Sequence, residues 1–129
     1  MILAIRTDNP QAEVYIMNAD GSVLADKKWH AHKLLLETIH VTIRDCLVSA
    51  GSTFDEISGV IFYEGPGSFT GLRIGCSVAN AIAISNNVPI VAVTSDDWLT
   101  QGTQLLLTGK GSEIVEPKYG SDPHITTPR

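Results

Sequence analysis

Cysteine is scarce in this sequence, basic residues are outnumbered, aromatic residues make up only 6% of the chain, and no hydrophobic run is long. Each shortage excludes something. The two cysteines, Cys46 and Cys76, lie far apart and form neither a Cys-x-x-Cys zinc or redox pair nor a secreted disulfide framework. They read as small buried hydrophobes in a reducing compartment. Nine lysines and arginines stand against fourteen aspartates and glutamates, a formal net charge of -5, which leaves no broad basic surface for nucleic acid. Any contact with RNA therefore needs a partner that supplies positive charge. No apolar run approaches the roughly 18 residues of a membrane span, and residues 1–6 show no basic leader. The sequence thus predicts a cytoplasmic protein with no membrane association.

What is present suits one domain. At 129 residues and 43% hydrophobic, the chain has room for one ordinary core and not for a second full domain. Residues 1–5 form a short apolar run that fits a buried central strand, and residues 13–17 alternate polar and apolar. Asn18, Ala19, Asp20 and Gly21 then supply a turn before residues 22–29, so the opening reads as a three-stranded meander. Over residues 31–50 the period becomes helical: Leu36, Ile39, Ile43 and Leu47 fall within about a third of the circumference, and Gly51 is placed to end the helix. Nearly opposite lies a thinner apolar stripe of Leu34, Val41 and Val48. A helix apolar on two sides is either sandwiched in its own domain or offered to another chain.

Residues 58–63 read as a further strand, residues 65–69 as a tight loop and residues 70–85 as a second helix. Pro89 opens a strand over residues 90–93, and Thr94 or Ser95 is placed to cap a short helix through Leu106. This order predicts an α/β layer structure, a mixed five-stranded sheet with helices on its faces and right-handed helical crossovers between the late strands. Residues 1–109 make the lobe. Residues 110–129, polar and rich in Gly and Pro, are expected to form an extended tail with little packing of its own.

The most informative stretch is Gly65-Pro66-Gly67-Ser68-Phe69-Thr70-Gly71-Leu72-Arg73-Ile74-Gly75, between a strand and a helix. Gly65 and Gly67 permit close backbone approach, Ser68 or Thr70 can cap the helix, and the amides at that terminus would suit an anion. Two readings stay open on geometry, a phosphate site and a tight strand-to-helix turn, since the Gly-Lys-Ser/Thr of a P-loop is missing. Gly71, Gly75, Ala79 and Ala83 recur at every fourth residue and leave one helix face nearly without bulk. That face serves either another helix or the chain's own sheet.

Taken as a string, the glycine-loop sequence resembles the signature of the bacterial TsaB (YeaZ) family. The opening Ile2-Leu3-Ala4-Ile5 is similar to that family's first strand, as are the helix beginning near His32 and the strand Pro89-Ile90-Val91-Ala92-Val93. So is the terminal stretch of Glu116-Pro117-Lys118-Tyr119 with Pro123-His124-Ile125-Thr126. The resemblance implies one lobe of an actin-like, RNase H-like (ASKHA) nucleotide-binding fold, with most of a second lobe missing. It also implies a non-catalytic role in making N6-threonylcarbamoyladenosine (t6A) in tRNA, beside a catalytic TsaD subunit and the ATPase TsaE, with tRNA met only through the complex. The expected partner surface comprises His32, Leu34, Val41 and Val48 of the first long helix with Gly71, Gly75 and Ala79 of the second. A homodimer through the same helices, without a tRNA-modifying role, is an alternative. Another is a nucleotide-binding switch or enzyme that uses the loop from Gly65 to Gly71.

The residues speak against an enzyme. Actin-like proteins place an aspartate straight after the first strand, where the family resemblance implies Ile-Asp-Thr; this chain has Ile5-Arg6-Thr7, with Asp8 nearby. Arginine cannot coordinate magnesium, whose ligands are oxygens. Where the resemblance implies the two metal-binding histidines of the catalytic relative, Ser95 and Leu99 stand instead, and they make no metal site. His30 and His32, two apart, diverge on a helix, and His40 and His124 lack a paired ligand. Ser68 has no histidine base and no Gly-x-Ser-x-Gly elbow. Asp96 and Asp97 suit a helix start, and Trp29 and Trp98 read as core or interface anchors. No catalytic residue, metal or bound cofactor is expected of the chain alone; a nucleotide at a partner interface stays open.

Overall fold

Along the first strand, β1 (Ile2–Arg6), successive side chains point to opposite faces. Leu3 and Ile5 enter one hydrophobic core, Ile2 and Ala4 another. That split sets the layers of the whole chain, whose computed structural model describes residues 1–117. β1 lies at the centre of a five-stranded sheet of order β3-β2-β1-β4-β5. It pairs antiparallel with β2 (Gln11–Met17), which pairs antiparallel with β3 (Val23–His30), completing the expected meander. On its other side β1 runs parallel to β4 (Gly59–Tyr63), and β4 runs parallel to β5 (Ile90–Val93). Parallel neighbours need a crossover; between β4 and β5 it is the helix α2 (Phe69–Asn86).

The larger core joins one sheet face to α1 (Leu35–Ser49) and α2, through Ile39, Ile43, Leu47, Leu72, Ala79 and Ala83. A 3-10 turn, His32–Leu34, precedes α1. The smaller core lies under α3 (Trp98–Leu107) on the opposite face and holds Tyr15, Ile61, Tyr63, Val91, Val93 and Trp98. Ile61 and Phe62, adjacent on β4, are both fully enclosed, one in each core. A strand covered on both sides is apolar at every position, as β4 is throughout. No helix among the described residues is long and apolar enough to cross a membrane.

Several expectations need correction. The inward arc of α1 is rotated from the one expected: Leu35, Thr42 and Cys46 are buried beside Ile39, Ile43 and Leu47, while Leu36 is 63% exposed. Its cause is that α1 packs against β2 and β3 on one flank and touches α2 only lightly on the other, where Leu36 sits. Neither Thr94 nor Ser95 caps α3, whose N-cap is Asp97; the Ser95 hydroxyl donates instead to Gln101 Oε1 at 2.9 Å. The 3-10 turn Phe54–Glu56 was not anticipated, although Thr53 and Glu56 have capping-box spacing and the Thr53 amide donates to Glu56 Oε1 at 3.1 Å.

The segment after Gly109 is also more tightly held than expected, as far as it is described. Ser112 and Ile90 exchange backbone hydrogen bonds of 2.8 and 3.0 Å, adding an antiparallel bridge at the β5 edge. Asn80 on α2 donates from Nδ2 to the Val115 carbonyl and accepts from the Val115 amide, both at 2.9 Å. One side-chain amide thus copies a strand partner. The rest of the expected tail, residues 118–129 with His124, lies outside the described residues.

The small-residue face of α2 turns inward. A Cβ added at Gly71 would lie 2.3 Å from the Thr7 carbonyl oxygen, and one at Gly75 would lie 2.1 Å from Thr7 Oγ1. Ala79 and Ala83 are buried in the larger core. Gly71, Gly75 and Ala79 therefore serve the chain's own sheet, and the reading that places them on a partner surface is corrected. Replacing Gly75 by valine overpacks this contact and is expected to lower unfolding stability by about 1–3 kcal/mol. Asn80→Ala removes both bonds to Val115 and is expected to cost about 1–2 kcal/mol. Urea denaturation of the full chain checks both; unchanged midpoints would contradict these contacts.

Candidate functional site

The parallel strands β1 and β4 end side by side, and the glycine loop leaves β4 just there. Gly65 has φ +106°, in the region that favours glycine, and the Gly65–Pro66 bond is cis. Gly67 lies so close to β1 that an added Cβ would stand 2.5 Å from the Asp8 Cβ and carbonyl oxygen. The Ser68 amide donates to the Asp8 carbonyl at 2.7 Å, and the Ser68 hydroxyl caps α2 by accepting from the Gly71 amide at 3.3 Å. Thr7, almost wholly buried, donates its hydroxyl to the Gly71 carbonyl at 2.7 Å. The loop is thus closed down on residues 7 and 8. Amides that an anion would use at Ser68 and Gly71 are already bonded within the chain, which favours the tight-turn reading over a phosphate cradle.

Arg6 points to the α3 side of the sheet at the same corner. Its Nε donates to Asp8 Oδ1 at 2.8 Å and a terminal nitrogen donates to Oδ2 at 3.3 Å, while the guanidinium lies 3.9 Å above the Tyr63 ring. Burial pulls the Arg6 pKa down, but the hydrogen bond and charge of Asp8, with smaller help from Tyr63 and Glu13, outweigh it and leave it raised. Next to it, the Tyr15 hydroxyl donates to Glu13 Oε1. Burial, then that hydrogen bond and the charge of Glu13, push the Tyr15 phenol well above its usual range. An actin-like fold implies a magnesium ion and nucleotide phosphates at this corner. The residues present do not fit them: Asp8 is already held by a cation two residues away, and Arg6 offers no oxygen.

The other residues singled out in the sequence can be located. Among the described residues no group of three His, Cys, Asp or Glu side chains is placed to hold a metal ion. Leu99 packs against the smaller core. Cys46 and Cys76 are buried and unpaired by disulfide, and burial raises both thiol pKa values. Trp98 is buried edge-on between Tyr15 and Tyr63, at centroid distances of 5.7 and 5.8 Å, and Trp29 donates to Thr38 Oγ1 at 2.9 Å. Both tryptophans are structural anchors.

The outward surface beside the loop is apolar. Leu34, Val41 and Val48 are 55%, 46% and 69% exposed and lie in line along the outer side of the 3-10 turn and α1, seven residues apart in the chain. Leu36 lies on a different flank of α1, turned toward α2, where it meets Arg73, Ile74 and Val78 in a separate groove of about 270 Å³. Phe69, exposed at the start of α2, stacks under the Arg73 guanidinium at 5.3 Å. Pro66 and Thr70 are exposed too. A second concavity, of about 310 Å³, lies between the starts of α1 and α2 and is lined by Lys33, Ser68 and Thr70 among others. Of the expected partner surface, the structure brings Leu34, Val41 and Val48 together outside. Sequence reading missed Leu36 and Phe69; each is a large apolar residue on a helix face that its own core does not need.

Comparison with known proteins agrees with this architecture. Residues 28–115 match the family model described as TsaD: tRNA N6-adenosine threonylcarbamoyltransferase. The chain is similar to the tRNA threonylcarbamoyladenosine biosynthesis protein TsaB of Escherichia coli (strain K12), 31% identical over 105 residues covering 78% of this chain and 43% of that protein. It is similar also to TsaB of Bacillus subtilis (strain 168), 33% identical over 103 residues, 76% of this chain and 42% of the relative. Among solved structures, YeaZ from Pseudomonas aeruginosa superposes with a TM-score of 0.66 at 28% identity, over 72% of this chain and 43% of that one. The chain thus spans less than half the length of these relatives, and its mixed sheet and three helices form a single actin-like lobe. With a family model matched across residues 28–115 and TsaB and YeaZ proteins as its relatives, this chain belongs to the TsaB (YeaZ) family.

Proposed function

We propose that this chain is a non-catalytic subunit in the biosynthesis of N6-threonylcarbamoyladenosine in tRNA. It docks a TsaD-like catalytic subunit, works alongside a TsaE-like ATPase, and meets tRNA only within that assembly. The observation that carries this reading is the exposed apolar row of Leu34, Val41 and Val48 on a chain of the TsaB family. Apolar side chains in a row on one helix face mark a surface that a partner covers, and a few such residues at the centre of an interface carry most of its energy. The acidic balance of the chain fits this division of labour, because the charge that attracts tRNA phosphates must come from elsewhere.

The catalytic side of the reaction belongs to the partner in this reading. Ser95 and Leu99 replace a metal-binding pair, Arg6 replaces the expected aspartate, and the loop amides of Ser68 and Gly71 are committed to the chain itself. A homodimer would use the same outer face of α1, so the two assemblies compete for one surface.

Val41→Glu and Val48→Glu test the face without touching the core, since both residues are exposed. Each variant is expected to keep its circular dichroism spectrum and to bind the TsaD-like partner at least about tenfold more weakly, the loss typical of an interface hot spot. Undiminished co-elution in size-exclusion chromatography would sink the docking assignment. Reconstituted modification of tRNA by the partner proteins is expected to fall when this chain is left out. An equal rate with and without it would remove the proposed role.

A further inference from the structure

The Arg6–Asp8 ion pair reaches both ends of the glycine loop, one through the Arg6 side chain and the other through the Asp8 backbone. Tyr63, on whose ring the Arg6 guanidinium lies at 3.9 Å, is the last residue of β4, immediately before the loop begins. Asp8, which receives both Arg6 hydrogen bonds, accepts the Ser68 amide on its carbonyl at 2.7 Å, where the loop ends and α2 starts. The side chains of Arg6 and Asp8 are only 22% and 10% exposed. A carboxylate so enclosed requires a cation, and here the chain provides its own.

We propose that Arg6 is a positioning residue for the glycine loop. It is an internal cation that fixes the loop and the start of α2 without a bound metal ion, and it closes this corner to a magnesium–nucleotide complex. Three properties of the guanidinium suit it to the task. It stays protonated at any working pH, it meets both carboxylate oxygens in a planar fork, and its flat face stacks on an aromatic ring, which a lysine ammonium cannot imitate. Glu13, the register partner of Arg6 on β2, adds negative charge that holds the cation in place, while its own carboxylate also accepts from Tyr15. A metal ion at this corner would have to displace Arg6 from Asp8, and an entering phosphate would meet Asp8 and Glu13 as like charges.

Amide hydrogen exchange and backbone NMR on the full chain test it. Because the Ser68 amide is tied to Asp8, its exchange is expected to quicken by about tenfold or more in Arg6→Met and in Asp8→Asn, with Arg6→Lys restoring only part of the protection. Amides of the central strand pair, such as Ile16, are expected to change far less. Titration of the unaltered protein with millimolar magnesium ATP is expected to leave the Ser68 and Gly71 amide resonances in place. Unchanged Ser68 exchange in Arg6→Met would overturn the positioning role. Saturable movement of those resonances with magnesium ATP would overturn the closure of the corner, and that measurement needs no variant.

Discussion

The close approach of α2 to the end of β1 is the contact on which the rest of this lobe is arranged. Thr7 sits almost wholly buried between strand and helix, its hydroxyl on the Gly71 carbonyl and its side chain in the space that a larger residue at Gly75 would fill. Because Gly71 and Gly75 have no Cβ, the helix axis can settle close to the strand, and the order of the α2 face follows. Ala79 and Ala83 continue the narrow seam, and Leu72, Val78 and Ile82 flank it. The remaining faces of α1 and α2 are then left to solvent or to another protein. The exposed row on α1 is the side of that helix left over once Leu35, Ile39, Ile43, Cys46 and Leu47 face the sheet.

This seam also explains why a glycine-rich turn between strand and helix, which in many folds receives phosphate, is here turned to internal use. The backbone atoms of residues 7 and 8 occupy the concave side of the loop. The Ser68 amide is bonded to the Asp8 carbonyl and the Gly71 amide to the Ser68 hydroxyl, so both are held within the chain. A docking subunit gains from such a loop: a surface formed in advance loses little freedom when a partner binds.

Much of the architecture was legible in the residue pattern. The meander, the strand over residues 90–93, the capping by Ser68 and the end of α1 at Gly51 follow from periodicity and turn chemistry. Less legible were features decided by what lies across the fold. Leu36 belongs to the apolar arc of its helix by spacing, yet α1 leans toward β2 and β3, so Leu35 and Cys46 take the inner positions. The stripe of small residues on α2 is equally consistent with a partner helix and with the chain's own strand; only the position of Thr7 decides it. Asn80 and Val115 are far apart in sequence, and no local signal announces that one will serve the other as a strand edge. At the candidate site, the row of Leu34, Val41 and Val48 could be read from spacing alone because it depends only on helix geometry. The Arg6 stack on Tyr63 could not, because it joins the ends of two strands.

The two tryptophans are divided between the two sides of the sheet. Trp29 belongs to the layer of α1, through its bond to Thr38, and Trp98 to the layer of α3, wedged between two tyrosine rings. The chain therefore carries one tryptophan for each layer. Replacing either by phenylalanine would leave a single tryptophan, whose emission, excited where tyrosine does not absorb, follows the loosening of one side alone.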